Sequence, residues 1–269
     1  MSTATDTGVE RIAAAFAGAA GKAALMPYLM GGFPDVETSA RIGEAYADNG
    51  ADLVELGVPF SDPLADGPVI HAAGTRALEA GSTLHRVLEV GARLAHRLPV
   101  VLMCYANPIL ARGVERFADE LAVRRISGLI VPDLPLEEAP AVLAACDEAG
   151  IALVPLAAPT TPEDRLAAIG SRARGFLYTV SVTGTTGERR GGDAAALIAR
   201  VKASTAAPVA LGFGISTPEQ ARAAADAGAD GVIVGTRLVR AAVEAVDAGE
   251  DPAAAVGAVV AALAAGLVR

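Results

Sequence analysis

Two acidic residues that could transfer protons lie in residues 54–67, VELGVPFSDPLADG. Glu55 interrupts a short apolar run, residues 52–56, with the composition of a buried strand, and Asp66 lies in the polar loop that follows. Apolar surroundings disfavour the charged form of a carboxyl group, so its pKa rises and it can exchange protons near neutral pH. The segment predicts a proton-transfer site in which Glu55 is the acid and base and an ionised Asp66 is an anionic anchor.

Both carboxylates also have structural explanations. Glu55 could form a buried ion pair with an arginine inside the protein. Asp66 could be a turn residue before Gly67 and Pro68, because aspartate is common in turns. The catalytic interpretation depends on the two residues acting together.

Three glycine-bearing segments near the end of the chain could bind an anion through backbone N–H groups. They are residues 184–187, residues 212–217, and Gly235 with Thr236. Ser216 and Glu219 resemble a helix capping box, so the N–H groups of the second segment could instead serve only a helix start. Gly212 and Gly214 do not form a dinucleotide fingerprint, because Thr217 stands where its third glycine would be.

The elements that must position these residues alternate along the chain. Eight short apolar, β-prone runs are separated by stretches with helical periodicity, such as residues 37–49, 140–149 and 218–227. The runs are residues 24–30, 52–56, 99–104, 128–133, 151–157, 175–180, 208–214 and 231–235. This alternation predicts an α/β fold, a closed (β/α)8 TIM barrel, with reactive groups at the carboxyl ends of the strands; an open doubly wound sheet is the alternative.

An extra helix and one loop complete this prediction. Val9, Ile12 and Phe16 form an apolar stripe on an N-terminal helix that would cover the bottom of the barrel. Residues 182–193, VTGTTGERRGGD, are polar and glycine-rich, which predicts a mobile lid loop. Tyr178, near the end of the preceding run, could hydrogen-bond a substrate from inside the barrel mouth, and a plain core tyrosine is the alternative.

Composition excludes several classes of protein. The 269 residues, 52% of them hydrophobic, suit one domain over residues 1–269, with residues 1–7 loose. The net charge of −9, without a basic cluster, argues against binding to nucleic acid or to a membrane surface. The apolar run at residues 253–268 is shorter than the ~20 residues of a membrane span.

The remaining sequence signals concern metals and location. Cys104 and Cys146 lack metal-ligand spacing, and so do the three histidines, so no metal site is predicted. Such cysteine usage, with no secretory signal at the N-terminus, predicts a reducing, cytoplasmic setting.

Four segments resemble the tryptophan synthase α chain family, in order and at similar spacing. They are VELGVPFSDPLADG from Val54, LMCYANP from Leu102, GTTGERRGG from Gly184 and GFGISTPEQ from Gly212. The resemblance implies a (β/α)8 barrel that reversibly cleaves indole-3-glycerol phosphate to indole and glyceraldehyde 3-phosphate. It implies no metal or organic cofactor in this chain.

The resemblance also implies roles for individual residues. Glu55 matches the family's acid/base, Asp66 its second catalytic carboxylate and Tyr178 a substrate-contacting tyrosine. The positions that match phosphate-binding residues are Gly187, Gly214, Gly235 and Thr236. The candidate contacts to the substrate, most of them walls for the flat indole ring, are Tyr28, Leu102, Met103, Phe213 and Thr186.

In this family the chain binds a β chain that carries pyridoxal phosphate, usually as an α2β2 heterotetramer. The residues expected at that interface are Asp62, Pro63, Asn107 and Pro108. Because the same loop carries Asp66, we expect low activity for the isolated chain and activation by its partner. Two other hypotheses stay open from the residues alone: a barrel with another reaction on a phosphorylated precursor, and a non-catalytic, partner-binding barrel.

Overall fold

The computed structural model describes residues 6–19, 22–180, 191–212 and 214–268, with the backbone alone at residues 191–193. Its strands are β1 (Ala24–Met30), β2 (Val54–Gly57), β3 (Val100–Met103), β4 (Gly128–Ile130), β5 (Ala152–Leu153), β6 (Leu156–Ala157), β7 (Leu177–Val180), β8 (Val209–Gly212) and β9 (Gly231–Val234). Its helices are α1 (Gly8–Gly18), α2 (Val36–Asp48), α3 (Pro68–Glu79), α4 (Leu84–Leu94), α5 (Ala106–Arg112), α6 (Val114–Val123), α7 (Pro140–Ala149), α8 (Glu163–Ser171), α9 (Gly191–Lys202), α10 (Pro218–Asp226), α11 (Thr236–Ala248) and α12 (Pro252–Leu267).

All strand pairs are parallel, in the order β5-β4-β3-β2-β1-β9-β8-β7-β6. The two end strands are halves of one predicted strand, residues 151–157, which breaks at Pro155 because proline has no N–H for a ladder. On one side of this break the Val154 N–H donates to the Leu129 carbonyl (2.9 Å), and on the other the Tyr178 N–H donates to the Pro155 carbonyl (3.0 Å). The chain thus closes the sheet on itself, and the predicted barrel is confirmed.

Side chains inside the barrel alternate with side chains that face the helices. The interior is filled by one buried cluster that includes Met26, Val101, Ile130, Val154, Phe176, Ala210 and Ile233. Helix α1 closes the amino-terminal end of the barrel, because Ile12 joins this cluster and fills the space beside Gly128 and Gly175. The extra N-terminal helix is therefore confirmed.

Two predicted boundaries differ from the structure. Thr7, in the segment expected to be loose, is the N-cap of α1 and forms a capping box with Glu10. Helix α9 begins at Gly191, so residues 191–193 of the predicted lid belong to a helix and not to a loop. A helical backbone is held by its own hydrogen bonds, so these residues do not move as a loop would. The rest of that lid, residues 182–190, lies outside the described residues. Among the described helices, none has the length and apolar character needed to span a membrane.

Candidate active site

Glu55 lies inside the barrel mouth, the end of the barrel formed by the carboxyl ends of the strands. It is in register with Tyr28 of β1 and Val101 of β3, and its side chain is 1% exposed. Its Oε2 atom has no hydrogen-bond partner among the described residues, and none of the ion pairs between those residues includes it. A buried ion pair therefore does not explain Glu55 within this part of the chain.

The surroundings of Glu55 raise its pKa from 4.5 to about 8. Burial is the main cause, since it penalises the charged carboxylate, and the negative charge of Asp66 adds to the effect. The hydroxyl of Tyr178, which can donate to the carboxylate, opposes the shift. Glu55 therefore carries a proton at neutral pH and can both donate and accept one, as a general acid and base requires.

Asp66 is held in the loop between β2 and α3 by Tyr105. The Tyr105 hydroxyl donates to Oδ1 of Asp66 (3.1 Å) and accepts from the N–H of Ala65 (3.0 Å). Partial burial raises the pKa of Asp66, while Tyr105 and His71 act to lower it. The carboxylate makes no capping bond to α3, whose N-cap is Gly67, so a turn role does not account for its side chain.

Tyr105 is a residue of the candidate site that the sequence interpretation missed. Its position directly after β3, at the carboxyl end of a barrel strand, was the available signal. Its aromatic ring also stacks on Phe60, with 5.1 Å between the ring centroids.

Two tyrosines enter the mouth because glycines face them. The Tyr28 hydroxyl lies 2.0 Å from the position that a Cβ atom at Gly57 would occupy. The Tyr178 hydroxyl lies 2.5 Å from the corresponding position at Gly212. Any larger residue at either position would collide with these rings, so the glycines make room for aromatic walls beside Glu55.

The structure contradicts the prediction that Leu102 lines the substrate pocket. Leu102 is fully buried and in register with Leu56, which packs beside Gly91 of α4 on the outside of the barrel. Because side chains alternate along a strand, Val101 and Met103 face the interior instead. Of the two residues proposed as walls from this strand, Met103 faces the site and Leu102 does not.

Gly235 and Thr236, where α11 begins, directly follow β9, the strand that pairs with β1 on the side away from β2. Gly235 is the N-cap of this helix, without a side-chain capping bond or an acidic residue in the first turn. The N–H groups of Thr236 and Arg237 have no carbonyl partner within the helix and can bind an anion, whereas that of Leu238 donates to the Gly235 carbonyl (2.9 Å). The helix dipole favours negative charge at this end. Gly214, in the neighbouring loop, has a φ of +56°, a conformation that suits glycine.

The capping alternative for the second glycine segment is partly correct. A capping box is present at α10, but it joins Thr217 and Gln220 rather than Ser216 and Glu219. The box shifts by one residue because Pro218 occupies the first helical position, which makes Thr217 the N-cap. The other predicted substrate and phosphate contacts, Thr186, Gly187 and Phe213, lie outside the described residues.

The four predicted interface residues lie around the rim of the mouth. Asp62 and Asn107 are exposed, and Pro63 and Pro108 are half-buried. Two large apolar side chains that the sequence interpretation did not select lie on the same two segments: Leu64 is 85% exposed and Leu110 is 61% exposed. Exposed apolar side chains in one area are typical of a surface that binds another protein.

A separate cavity of about 410 Å³ lies at the amino-terminal end of the barrel. Its charged groups are largely satisfied: Lys22 pairs with Asp52, Asp230 pairs with Lys202, and Arg222 donates to the Gly266 carbonyl. Because active sites of this fold lie at the carboxyl end, this cavity is not the candidate site. Among the described residues, no group of three His, Cys, Asp or Glu side chains is arranged to hold a metal ion.

Comparison with known proteins identifies the family. A family model described as "Tryptophan synthase alpha chain" matches residues 15–267. The chain belongs to this family. A tryptophan synthase alpha chain of Prochlorococcus marinus (strain MIT 9313) is 51% identical over 226 residues, which cover 82% of each chain. One of Synechococcus elongatus is 52% identical over 223 residues, which cover 81% of this chain and 84% of the relative.

Solved structures lead to the same family. A Mycobacterium tuberculosis tryptophan synthase structure superposes with a TM-score of 0.89 at 38% identity, covering 96% of this chain and 98% of that one. The tryptophan synthase alpha subunit of Legionella pneumophila superposes with a TM-score of 0.90 at 34% identity, covering 98% of this chain and 99% of that one. The resemblance drawn from the motifs is confirmed: this member of the family is a lyase with the alpha-subunit function in tryptophan biosynthesis, cleaving indole-3-glycerol phosphate.

Proposed function

We propose that Glu55 and Asp66 carry the lyase reaction of this chain. The observation that supports this assignment is the pair itself: a carboxyl group buried inside the barrel mouth, with its pKa raised to about 8 and Asp66 nearby. One group therefore holds a transferable proton at neutral pH, and the other can interact with positive charge.

The reaction follows from these two roles. Indole is a poor carbon leaving group until its C3 atom is protonated, and Glu55 donates that proton. The positive charge then spreads to the ring nitrogen, where Asp66 accepts the N–H hydrogen bond and stabilises the charge. The bond between C3 and the carbinol carbon breaks, its electron pair returns to the indole ring, and the carbinol hydroxyl gives its proton to Glu55 and becomes the aldehyde. Glu55 ends the cycle protonated.

The substrate's two ends fit the two sides of the mouth. The phosphate would bind at the start of α11, on the N–H groups near Gly235 and Thr236, with Gly214 and Gly187 completing the site. The indole ring would lie against Tyr28, Tyr178 and Met103, which face the interior beside Glu55. Phe213 and Thr186 are retained as further contacts in this proposal.

We also propose the wider setting implied by the family. The chemistry described needs no cofactor in this chain, and pyridoxal phosphate would belong to a β chain bound at the rim formed by Asp62, Pro63, Asn107 and Pro108. The assembly would be an α2β2 heterotetramer in the cytoplasm, where the two buried free cysteines, Cys104 and Cys146, stay reduced. A matched β chain is expected to raise turnover strongly, and equal turnover with and without it would contradict this part.

The direct test is Glu55→Gln, with indole release followed by fluorescence, since the chain contains no tryptophan. We expect a loss of turnover of at least ~10²-fold with the fold intact, the scale for removing a positioned acid/base. The control is Glu79→Gln, which neutralises an exposed carboxylate on α3 and should leave turnover unchanged. A folded Glu55→Gln variant with normal turnover would rule out the assignment of Glu55 as the acid and base.

A further inference from the structure

The sequence interpretation treats Tyr28 only as an apolar wall, yet its hydroxyl reaches the centre of the mouth. Tyr28 lies on β1, in register with Glu55 on the adjacent strand. The residue is 4% exposed, and its hydroxyl oxygen occupies the space above Gly57. The hydroxyl oxygen of Tyr28 therefore lies on the side of the mouth that carries Glu55.

Within the described part of the chain, the protein itself does not use this hydroxyl. Among the described residues, no hydrogen bond to the Tyr28 hydroxyl is formed, whereas the hydroxyls of Tyr46 and Tyr105 each have partners. The hydroxyl oxygen is also not among the described polar atoms that are both fully enclosed and unpaired, so it opens into the mouth and not into the packed core. An unpaired tyrosine hydroxyl that opens into the mouth is available to hydrogen-bond a ligand.

The position of Tyr28 narrows the choice of that partner. At one end of the residue, its Cβ atom lies 3.6 Å from the point where a side chain at Gly235 would begin, which is the proposed phosphate side. At the other end, the hydroxyl lies near Glu55 and Asp66, whose charges both raise the Tyr28 pKa. The side chain thus spans the interval between the phosphate and the reacting carbon.

The backbone of Tyr28 is fixed from behind. The hydroxyl of Tyr46, on α2, donates to the Tyr28 carbonyl (3.0 Å), and both groups are buried. The ring is also confined between Gly57 and Gly235, so it has little freedom to turn away. The hydroxyl is therefore presented in one place before the ligand binds, which reduces the entropy lost on binding.

We propose that the Tyr28 hydroxyl is a substrate-binding group that hydrogen-bonds a hydroxyl of the three-carbon chain between the phosphate and the indole ring. This inference rests on the proposed function. The contact would select phosphorylated indoles whose chain carries hydroxyl groups over those with a plain alkyl chain, since a buried polar group discriminates against a ligand that leaves it unpaired.

The test is Tyr28→Phe, which keeps the ring and removes only the hydroxyl. Two quantities are measured for the wild type and the variant, in the presence of the same β chain: kcat/KM for indole-3-glycerol phosphate, and the inhibition constant of an indole with a plain propyl phosphate chain. We expect kcat/KM to fall about 3- to 10-fold, the usual effect of losing one neutral hydrogen bond. The inhibition constant should change less than about twofold, because that ligand has no hydroxyl to lose.

Two further measurements separate this role from a structural one. Tyr46→Phe removes the buried hydroxyl that supports the Tyr28 backbone, and any effect should be the same for substrate and inhibitor. The alkaline limb of kcat/KM against pH should stay in place in Tyr28→Phe, because the hydroxyl acts on the substrate and not on Glu55.

The outcomes are distinct. Equal losses for both ligands, no loss for either, or a displaced alkaline limb would each overturn the proposal. Failure of the proposed function would instead appear as normal indole release by a folded Glu55→Gln variant.

Discussion

The Tyr105 hydroxyl bridges the side chain of Asp66 and the backbone of Ala65, with hydrogen bonds of 3.1 and 3.0 Å. Tyr105 is the N-cap residue of α5, so this single group joins that helix to the loop after β2. Both segments also carry the residues expected to contact a partner chain. Any displacement of α5 would therefore alter the position of the Asp66 carboxylate.

Tyr105→Phe should weaken catalysis by releasing Asp66. The hydrogen bond from Tyr105 stabilises the charged carboxylate of Asp66. Without it, the pKa of Asp66 should rise further and the carboxylate should have a less defined orientation. We expect kcat/KM to fall about tenfold, measured by indole release, with little change in secondary structure. Full activity in a folded Tyr105→Phe variant would show that Asp66 does not depend on this contact.

Glu55 should make stability depend on pH in an unusual direction. Its folded pKa, about 8, lies above its ordinary value of 4.5, so the native state binds more protons than the unfolded state between these two values. The free energy of unfolding should therefore fall as pH rises through this window. Glu55→Gln removes the cost of burying a charged carboxylate. The variant's free energy of unfolding should therefore exceed that of the wild type by an amount that grows from nearly zero below pH 4.5 to a few kcal/mol above pH 8.

Urea unfolding at several pH values between these limits measures this difference directly. Glu79→Gln is the control, since it makes the same substitution at an exposed carboxylate outside the barrel mouth. A Glu55→Gln difference that shrinks as pH rises would contradict the raised pKa.

Gly57→Ala should disturb the mouth through Tyr28. The new Cβ atom would lie 2.0 Å from the tyrosine hydroxyl, so the ring would have to shift away from Glu55. Overpacking of this kind typically costs about 1–3 kcal/mol of stability, and we expect kcat/KM to fall at least about tenfold. Gly18→Ala, at an open position in α1, is the control and should change neither quantity adversely. Equal behaviour of the two variants would disprove the steric argument.

Substitutions at Leu102 and Met103 should have different effects, the first on stability and the second on substrate binding. Leu102→Ala removes a fully buried side chain between strand and helices and should cost about 2–5 kcal/mol of stability while KM stays near the wild-type value. Met103→Ala should raise KM, because this side chain faces the barrel interior near Glu55. Chemical denaturation and steady-state kinetics measure the two effects, and a raised KM in Leu102→Ala alone would reverse the assignment of faces.

Local patterns in the sequence were sufficient for most of the architecture. The apolar runs and capping signals placed α2, α7 and α10 within a residue or two, because helix ends and strand cores depend on near neighbours. The same patterns placed Glu55 on a strand and Asp66 in the loop after it. The break at Pro155 was not predicted, because residues 151–157 were interpreted as one strand, and the break follows from which strands lie on either side.

What the sequence determined by itself was the alternation of strands and helices and the two carboxylates of the site, and it favoured a closed barrel over an open sheet. Only the tertiary structure decided that Leu102 faces the helices, that Tyr105 holds Asp66, and that the Tyr28 hydroxyl fills the space above Gly57. The physical reason is that strand side chains alternate with a period of two, so one residue of register exchanges the inside and the outside of the barrel. Contacts between residues far apart in the chain, such as Tyr105 and Asp66, depend on that register and leave no local signal.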